Sequence, residues 1–467
     1  MALIFYDTET TGTDTYFDQI LQFAAVKTDA DLNELDRFEV RCRLSPYNVP
    51  APGAMRVTGI DSVMLTDPSL PSQYEMARAI RDKLLDWCPA TIIGYNSIRF
   101  DESLMRQLFY KSLLPLYLTN TNGNNRADVM RMVQAASLYV PDALVIPDGS
   151  NGRPSHKLEL VAPANGFNHT SAHDAMGDVE ATIHVSRILA DHAPDVWSSF
   201  MRFGSTAAVA AFADETPVFS LSDFYSGRPY SWHVTLIGRN AGYAAELYVY
   251  NLEIDPADLE DLNDDELAAR LDSRPKPVRR LRANGSPMIM PVEDAPPIAA
   301  SAHLSLDELE RRAEYLAERD SLRDRLVSVF QEIQEPYDTS PHVERQIYDG
   351  FFNNDQERLD AFHVVPWEQR PEIVASFSDQ RLRELGFRLL HMERPDVLDD
   401  ATRTTLDIAL AERLAGASKD APWLTLPKAI EQIDDMINVA SPDECTFLES
   451  HKACLVSRLD SCVDRLA

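Results

Sequence analysis

The chain has 467 residues, 45% hydrophobic and 25% charged, with a formal net charge of -30. That length exceeds one ordinary core and points to two or three domains, while no apolar run is long enough for a membrane span. The charge excludes diffuse attachment of the whole surface to a polyanion, so any nucleic-acid site has to be a local channel on an acidic body.

The opening MALIFYDTET has no basic segment and reaches an acid at Asp7, so no signal peptide is expected. Leu3 to Tyr6 reads as a buried strand running into the acidic segment Asp7-Thr8-Glu9. Ile20 to Val26 and Phe38 to Leu44 read as two further strands, giving an antiparallel start. Gln73 to Trp87 has helical spacing, Thr91 to Tyr95 is a buried strand, and Asp101–Tyr110 and Ala127–Tyr139 read as helices. Pro141, Pro147, Gly149, Gly152 and Pro154 mark a loop, followed by a short helix opening at His156 and a longer one from Ala175 to Ala190. The pattern is that of an α/β domain spanning residues 1–193.

A second, mixed domain is expected over 194–347. Strands are read at Val218–Phe224, Trp232–Ile237 and Ala244–Leu252, and charged amphipathic helices at Pro256–Leu271 and Ser305–Gln334. From 351 to 467 the period is helical, broken by Pro366, Pro371, Pro395, Pro422 and Pro427, which predicts an all-α third domain. The five cysteines are odd in number and lack CxxC spacing, and they read as buried, reduced thiols of a cytoplasmic protein.

Three short elements carry the chemistry. In Asp7-Thr8-Glu9 the two acids sit at i and i+2 and share one face if extended. Such a pair repels itself unless a hard cation lies between, although a lone DxE is also what a solvated acidic turn looks like. GYNSIRFDE (94–102) places Asp101 at a helix start, where a capping role is the ordinary reading. AHDAMGDVEAT (172–182) puts His173 five residues before Asp178, with Asp174 the better cap. Together the four carboxylates Asp7, Glu9, Asp101 and Asp178 can hold two divalent metals for phosphodiester hydrolysis, with His173 as base for the attacking water.

Read in order, DxE at Asp7 and Glu9, NxxxFD at Asn96 to Asp101 and HxxxxD at His173 to Asp178 resemble the DEDDh exonucleases, a branch of the ribonuclease H-like superfamily. Ala164 to Gly166, AHDAMGDVEATI and QIYDGFF (346–352) narrow the resemblance to the bacterial exonuclease I family. It is dense over about 1–190 and sparser to the end. It implies a ribonuclease H-like exonuclease domain, an SH3-like α+β domain and a helical C-terminal domain. It further implies 3′→5′ removal of mononucleotides from single-stranded DNA in repair and recombination, by a monomer. The implied cofactor is Mg²⁺, two per site, with Mn²⁺ as a substitute.

Carried over residue by residue, Asp7, Glu9, Asp178 and Asp101 are metal ligands and His173 is the general base, with Glu9 also touching the terminal nucleotide. Lys157 stands where relatives carry a substrate-gripping arginine, which keeps the charge but loses the bidentate fork. Arg106, Tyr117, Arg131 and Arg279 fall at strand-contacting positions. Arg279 lies in RPKPVRRLR (274–282), where five of nine residues are basic. Tyr225, Tyr230 and Trp232 can offer stacking faces or be core residues, and core is preferred. Recruitment by the acidic tail of single-strand DNA-binding protein needs a basic pocket. Residues 283–310 contain no Lys or Arg, which leaves Arg311, Arg312 and Arg319 as candidates. Two other functions remain compatible with the motifs: an RNA- or oligonucleotide-trimming enzyme, which the length beyond the first domain disfavours, and a catalytically inactive DNA-binding scaffold, which the complete residue set disfavours.

Overall fold

The computed structural model describes residues 2–168, 174–296, 298–334, 339–352, 354–416 and 420–467. The first sheet is built from β1 (Ala2–Thr10), β2 (Ile20–Thr28), β3 (Glu34–Arg41), β4 (Ala90–Gly94) and β5 (Asn125–Asp128). Their order is β3-β2-β1-β4-β5, with β1, β2 and β3 antiparallel and β4 and β5 parallel to β1. Short turns suffice for the antiparallel half; the parallel half needs crossovers through helices Gln73–Trp87 and Asp101–Lys111.

β1 is central and buried on both faces, which is why Leu3 to Tyr6 is continuously apolar. Alternate residues divide between two cores. Leu3 and Phe5 pack with helices Val129–Tyr139 and Ala175–His192, and Ile4 and Tyr6 pack with helices Gln73–Trp87 and Asp101–Lys111. Asp7 and Glu9 therefore lie within β1 rather than after it. β5 was not foreseen, because NRAD has no apolar run; its pairing with β4 makes the strand.

The second sheet is antiparallel, in the order β10-β6-β7-β8-β9. Its strands are β6 (Phe219–Tyr225), β7 (Arg228–Arg239), β8 (Glu246–Asn251), β9 (Val278–Arg282) and β10 (Met288–Pro291). β9 lies in the basic segment and was missed because only Val278 and Leu281 face inward between arginines. The expected helix 256–271 is a single 3-10 turn, Pro256–Leu259, then a helix Asp264–Asp272 opened by an Asn263–Glu266 capping box. The expected helix 305–334 is two helices, Leu306–Ala317 and Asp320–Glu332, because Arg319 leaves helical geometry.

Residues beyond 354 are helical, ending in Pro442–Leu466. This part is not independent of the first sheet. Tyr74, Tyr110 and Leu113 share a core with Phe362, Leu382 and Leu389. All five cysteines are unpaired; Cys42 and Cys462 are buried as expected, whereas Cys88, Cys445 and Cys454 are half-buried. Among the described residues no helix is long and apolar enough to cross a membrane.

Candidate active site

Asp7, Glu9 and Asp178 offer carboxylate oxygens that all lie within 4.8 Å of one another. β1 sets the first two on one face, and Asp178 reaches them from the first turn of helix Ala175–His192, which packs on β1 and β2. That helix is pinned by a cross-strand row. Glu9 pairs with Gln22 and Gln22 with Arg41 across β1, β2 and β3. Gln22 Nε2 (3.0 Å) and Arg41 Nη2 (2.7 Å) both donate to Asp174 Oδ1, at the residue preceding the helix. Asp174 is thus the helix's first flanking residue, as expected, but its side chain makes no capping bond and is spent on the sheet.

Asp101 is the first residue of helix Asp101–Lys111, not its cap; Phe100 holds that position. Asp101 Oδ1 accepts a 2.5 Å bond from Thr8 Oγ1 on β1. The turn that delivers it depends on a residue sequence reasoning missed. Buried Asp128 accepts from the backbone N–H of Asn96 (2.9 Å), Ile98 (3.3 Å) and Met130 (3.1 Å). It thereby holds the 96–98 turn, including Asn96 at positive φ, and caps the following helix. Gly94 is required there, since a Cβ would fall 2.5 Å from Ser97 Cβ and 3.0 Å from Tyr6 O.

Burial, then the charges of Asp101, Asp178 and Glu9, push the Asp7 carboxyl well above the usual carboxylate range. Burial and the nearby Asp178 and Asp101 raise Glu9 to about 8, and burial raises Asp101 to about 7. Such mutual repulsion is what bound cations relieve, and an all-oxygen donor set fits hard divalent ions. His173 lies outside the described residues.

These shifts fix a sign. A carboxyl raised in the folded state keeps its proton there after the unfolded chain would lose it. Stability of the metal-free protein therefore falls as pH rises from about 4.5 through about 8. Divalent cations must displace those protons. The expected result is a Mg²⁺-induced rise in Tm that is larger at about pH 8.5 than at about pH 6. Calorimetry in buffers of different ionisation enthalpy should detect proton release; binding without release and with no pH dependence would contradict the arrangement.

The expected strand-contacting residues fall into two kinds. Lys157 is exposed and pairs only loosely with Glu159, at 3.2 Å. Tyr117 is half-buried and packs on Arg106 and on Phe351, a side chain 77% exposed. Tyr348, also exposed, reaches the same Arg106. By contrast, Arg106 is bound to Glu102 (3.0 Å), which also takes Arg126 (2.9 Å) and Thr119. Arg131 is engaged by Ser286 O (2.8 Å) and Asp223 (3.2 Å). Arg279 lies face-on to Trp232, 3.5 Å from the ring centroid.

The preference for core holds for Trp232 but is corrected for Tyr225 and Tyr230, which are exposed at the β6–β7 tip beyond the sheet's cover. Tyr230 stacks parallel on Trp232. Phe351 and Tyr348 were not singled out by the sequence, although both lie in QIYDGFF. Arg311 is matched by Asp255 and Glu308, Arg312 by Glu308, and Arg319 by Glu260.

Residues 4–186 match the family described as Exonuclease, and residues 341–453 match the one described as Exonuclease I C-terminal domain. The chain is 30% identical over 429 residues to exodeoxyribonuclease I of Escherichia coli (strain K12), covering 86% of this chain and 87% of that protein. It superposes on exonuclease I from Methylocaldum szegediense with a TM-score of 0.83 at 25% identity, over 98% of this chain and 99% of the other. E. coli exonuclease I in complex with a dA16 oligonucleotide gives 0.81 at 23% identity, over 100% of both chains. An SSB/exonuclease I structure in complex with an inhibitor gives 0.81 at 22% identity, over 99% of both chains.

Proposed function

This chain belongs to the exonuclease I family, a family of nucleases, and from that premise we propose that it removes nucleotides one at a time from the 3′ end of single-stranded DNA in repair and recombination. The observation that carries the reading is the convergence of Asp7, Glu9 and Asp178 at one end of β1, with Asp101 held beside them through Thr8. Hydrolysis is assigned to residues 1–193, with 194–347 and 351–467 as the second and third units. The name of the E. coli relative and the dA16 oligonucleotide in its solved complex support DNA as the substrate.

Asp7, Glu9 and Asp178 would hold the cations, Mg²⁺ being the ion their oxygen donors suit, two per site, with Mn²⁺ as a substitute. Divalent cations bound there supply a more acidic attacking water and stabilise charge on the leaving 3′ oxygen. His173 takes the proton from that water. Asp101 completes the acidic set and ties β1 to helix Asp101–Lys111. Glu9 also positions the terminal nucleotide, and Lys157, free to swing, meets a backbone phosphate.

Exposed Phe351 and Tyr348, with Tyr117 behind them, offer stacking faces for bases, as do Tyr225 and Tyr230 on the second sheet. Arg106, Arg131 and Arg279 then shape the channel through the residues they hold and add positive potential. Single-strand DNA-binding protein, named with exonuclease I in one similar solved structure, is the proposed protein partner. Its acidic tail has to be received away from Arg311, Arg312 and Arg319, whose charges are already matched. A monomer working in the cytoplasm fits this role.

The test is a time course with Mg²⁺ on 3′- and 5′-labelled single strands, duplexes and RNA of matched sequence. Mononucleotide release from the 3′ end of single-stranded DNA is expected, with a 3′-blocked strand resistant. Faster digestion of RNA, or release from the 5′ end, would defeat the proposal. In the same assay Phe351→Ala should weaken binding of single-stranded DNA by about 1–3 kcal/mol, roughly fivefold to 150-fold. The Asp7–Glu9–Asp178 cluster is untouched by that change, so turnover at saturating strand should be retained.

A further inference from the structure

A cavity of about 260 Å³ lies where the C-terminal helix Pro442–Leu466 packs against the segment after β3. His451, Cys454, Leu455 and Arg458 line it from one helical face, at spacings of three, four and seven residues. Leu44, Leu65 and Arg43 are among the residues facing them. Among the described residues no carboxylate lines the cavity, in a chain with 74 acidic residues, whereas two arginines do.

Arg43, Ser45 and Thr66 have hydrogen-bond partners, whereas among the described residues two other lining side chains, His451 and Arg458, are not fully satisfied. His451 is 1% exposed, with the Phe447 ring stacked against it, and neither ring nitrogen has a hydrogen-bond partner. Arg458 spends Nη2 on the carbonyls of Pro46 and Asn48, at 3.0 Å each, and its buried Nη1 has no partner. Burial pulls both groups below their ordinary pKa values, and at His451 it prevails over the opposing charge of Asp61. Buried polar groups are nearly always paired, so an unpaired guanidinium N–H and the single N–H of a neutral imidazole beside apolar walls describe a receptor for oxygen acceptors on an apolar body.

We propose that this cavity binds a compact organic anion, a carboxylate on an apolar body of about the size of benzoate, with its oxygens toward Arg458 and His451 and its body against Leu44, Leu65 and Leu455. The site lies behind the catalytic strand. Asn48 Nδ2 donates to Phe17 O (2.6 Å) and Ala51 N to Thr11 O (2.7 Å), so the segment Arg458 grips is tied to the loop that follows β1. An occupant braces the docking of the C-terminal helix on the segment 43–50, and through it the loop after β1.

The test uses the full chain and benzoate as probe. Benzoate should raise Tm saturably, and at saturation should slow alkylation of Cys454 at least about fivefold, with Cys88 and Cys445, which do not line the cavity, as internal controls. Benzamide, of the same shape but uncharged, and inorganic phosphate, charged but without an apolar body, should do neither. Leu455→Trp, which fills the cavity and removes no cation, should abolish both effects and leave nuclease activity intact. Arg458→Gln should abolish them too; if that variant fails to fold, the tryptophan variant decides. The proposal is overturned if benzoate has no effect, if benzamide or phosphate matches it, if Leu455→Trp retains the response, or if a crystal grown with benzoate shows only water in the cavity.

Discussion

Asp178→Ala lowers exonuclease turnover by at least about a thousandfold, about 4 kcal/mol of barrier, while leaving the fold intact. The size follows from what Asp178 does. It is one of three carboxylates whose oxygens converge within 4.8 Å, and it alone comes from a helix rather than from β1. Without it, Asp7 and Glu9 remain on one strand face with nothing opposite to close a cation site. A second result should accompany the first. Asp178 is among the charges that hold Asp7 and Glu9 above the ordinary carboxylate range. Removing it relieves repulsion, so the metal-free variant should be as stable as the parent or more so near neutral pH. The measurements are mononucleotide release with Mg²⁺ and thermal unfolding without it. Unchanged turnover would show that hydrolysis happens elsewhere, and a collapse in Tm would show that Asp178 holds the fold instead.

The other large effect is on stability. Glu344 is 4% exposed and accepts from Arg388 and Arg413, each at 2.9 Å. Lys111 lies close by, pushed down to about 8 by its burial. Glu344→Gln takes the carboxylate from the largely buried Arg413 and leaves Arg388 only its partner at the rim, so it should cost about 3–5 kcal/mol in urea unfolding. Glu384, which pairs with Arg388 at the rim and is 41% exposed, provides the comparison. Glu384→Gln should cost about 1 kcal/mol or less.

The pH dependence has a definite direction. Burial opposes ionisation of Glu344, but its cationic neighbours prevail and hold it down at about 2, against 4.5 for an unperturbed glutamate. A depressed carboxyl stabilises the fold above its unfolded pKa and loses that contribution as pH falls through its folded value. The gap between parent and Glu344→Gln should be full above about pH 4.5 and close as pH approaches about 2. A gap that widened in acid would refute the ion-pair account.

How far the site could be read beforehand depended on the range of the interactions. Asp7, Glu9 and Asp178 were legible because their placement follows from local periodicity: i and i+2 on a strand, and the first turn of a helix. The residues that aim them were not. Arg41 and Gln22 reach Asp174 only because β1, β2 and β3 pair in the register Glu9–Gln22–Arg41, and register is a tertiary property. Asp128 looked like an ordinary helix start, and its hold on the 96–98 turn depends on β4 lying beside β5. Arg106 is an instructive case. Its ion pair with Glu102 is an i, i+4 helix contact that the sequence contains, yet the shared pull of Arg126 on the same carboxylate comes from β5. β9 escaped because three arginines hid the two inward-facing residues of a five-residue strand.

The join between the two sheets has a consequence for how this protein tolerates change. Arg126 on β5 and Arg131 on the helix that follows it reach to the turn between β9 and β10 and donate to the main-chain oxygens of Asn284 and Ser286, at 2.9 and 2.8 Å. Every amino acid brings the same carbonyl. The turn's side chains at these two positions can drift without breaking that joint, provided the backbone can still follow its path, while the two arginines cannot. Mutational robustness at this turn is one-sided: its receiving half is written in backbone and its donating half in sequence, and Asp223 on β6, which also pairs with Arg131, is the receiving side chain that cannot drift.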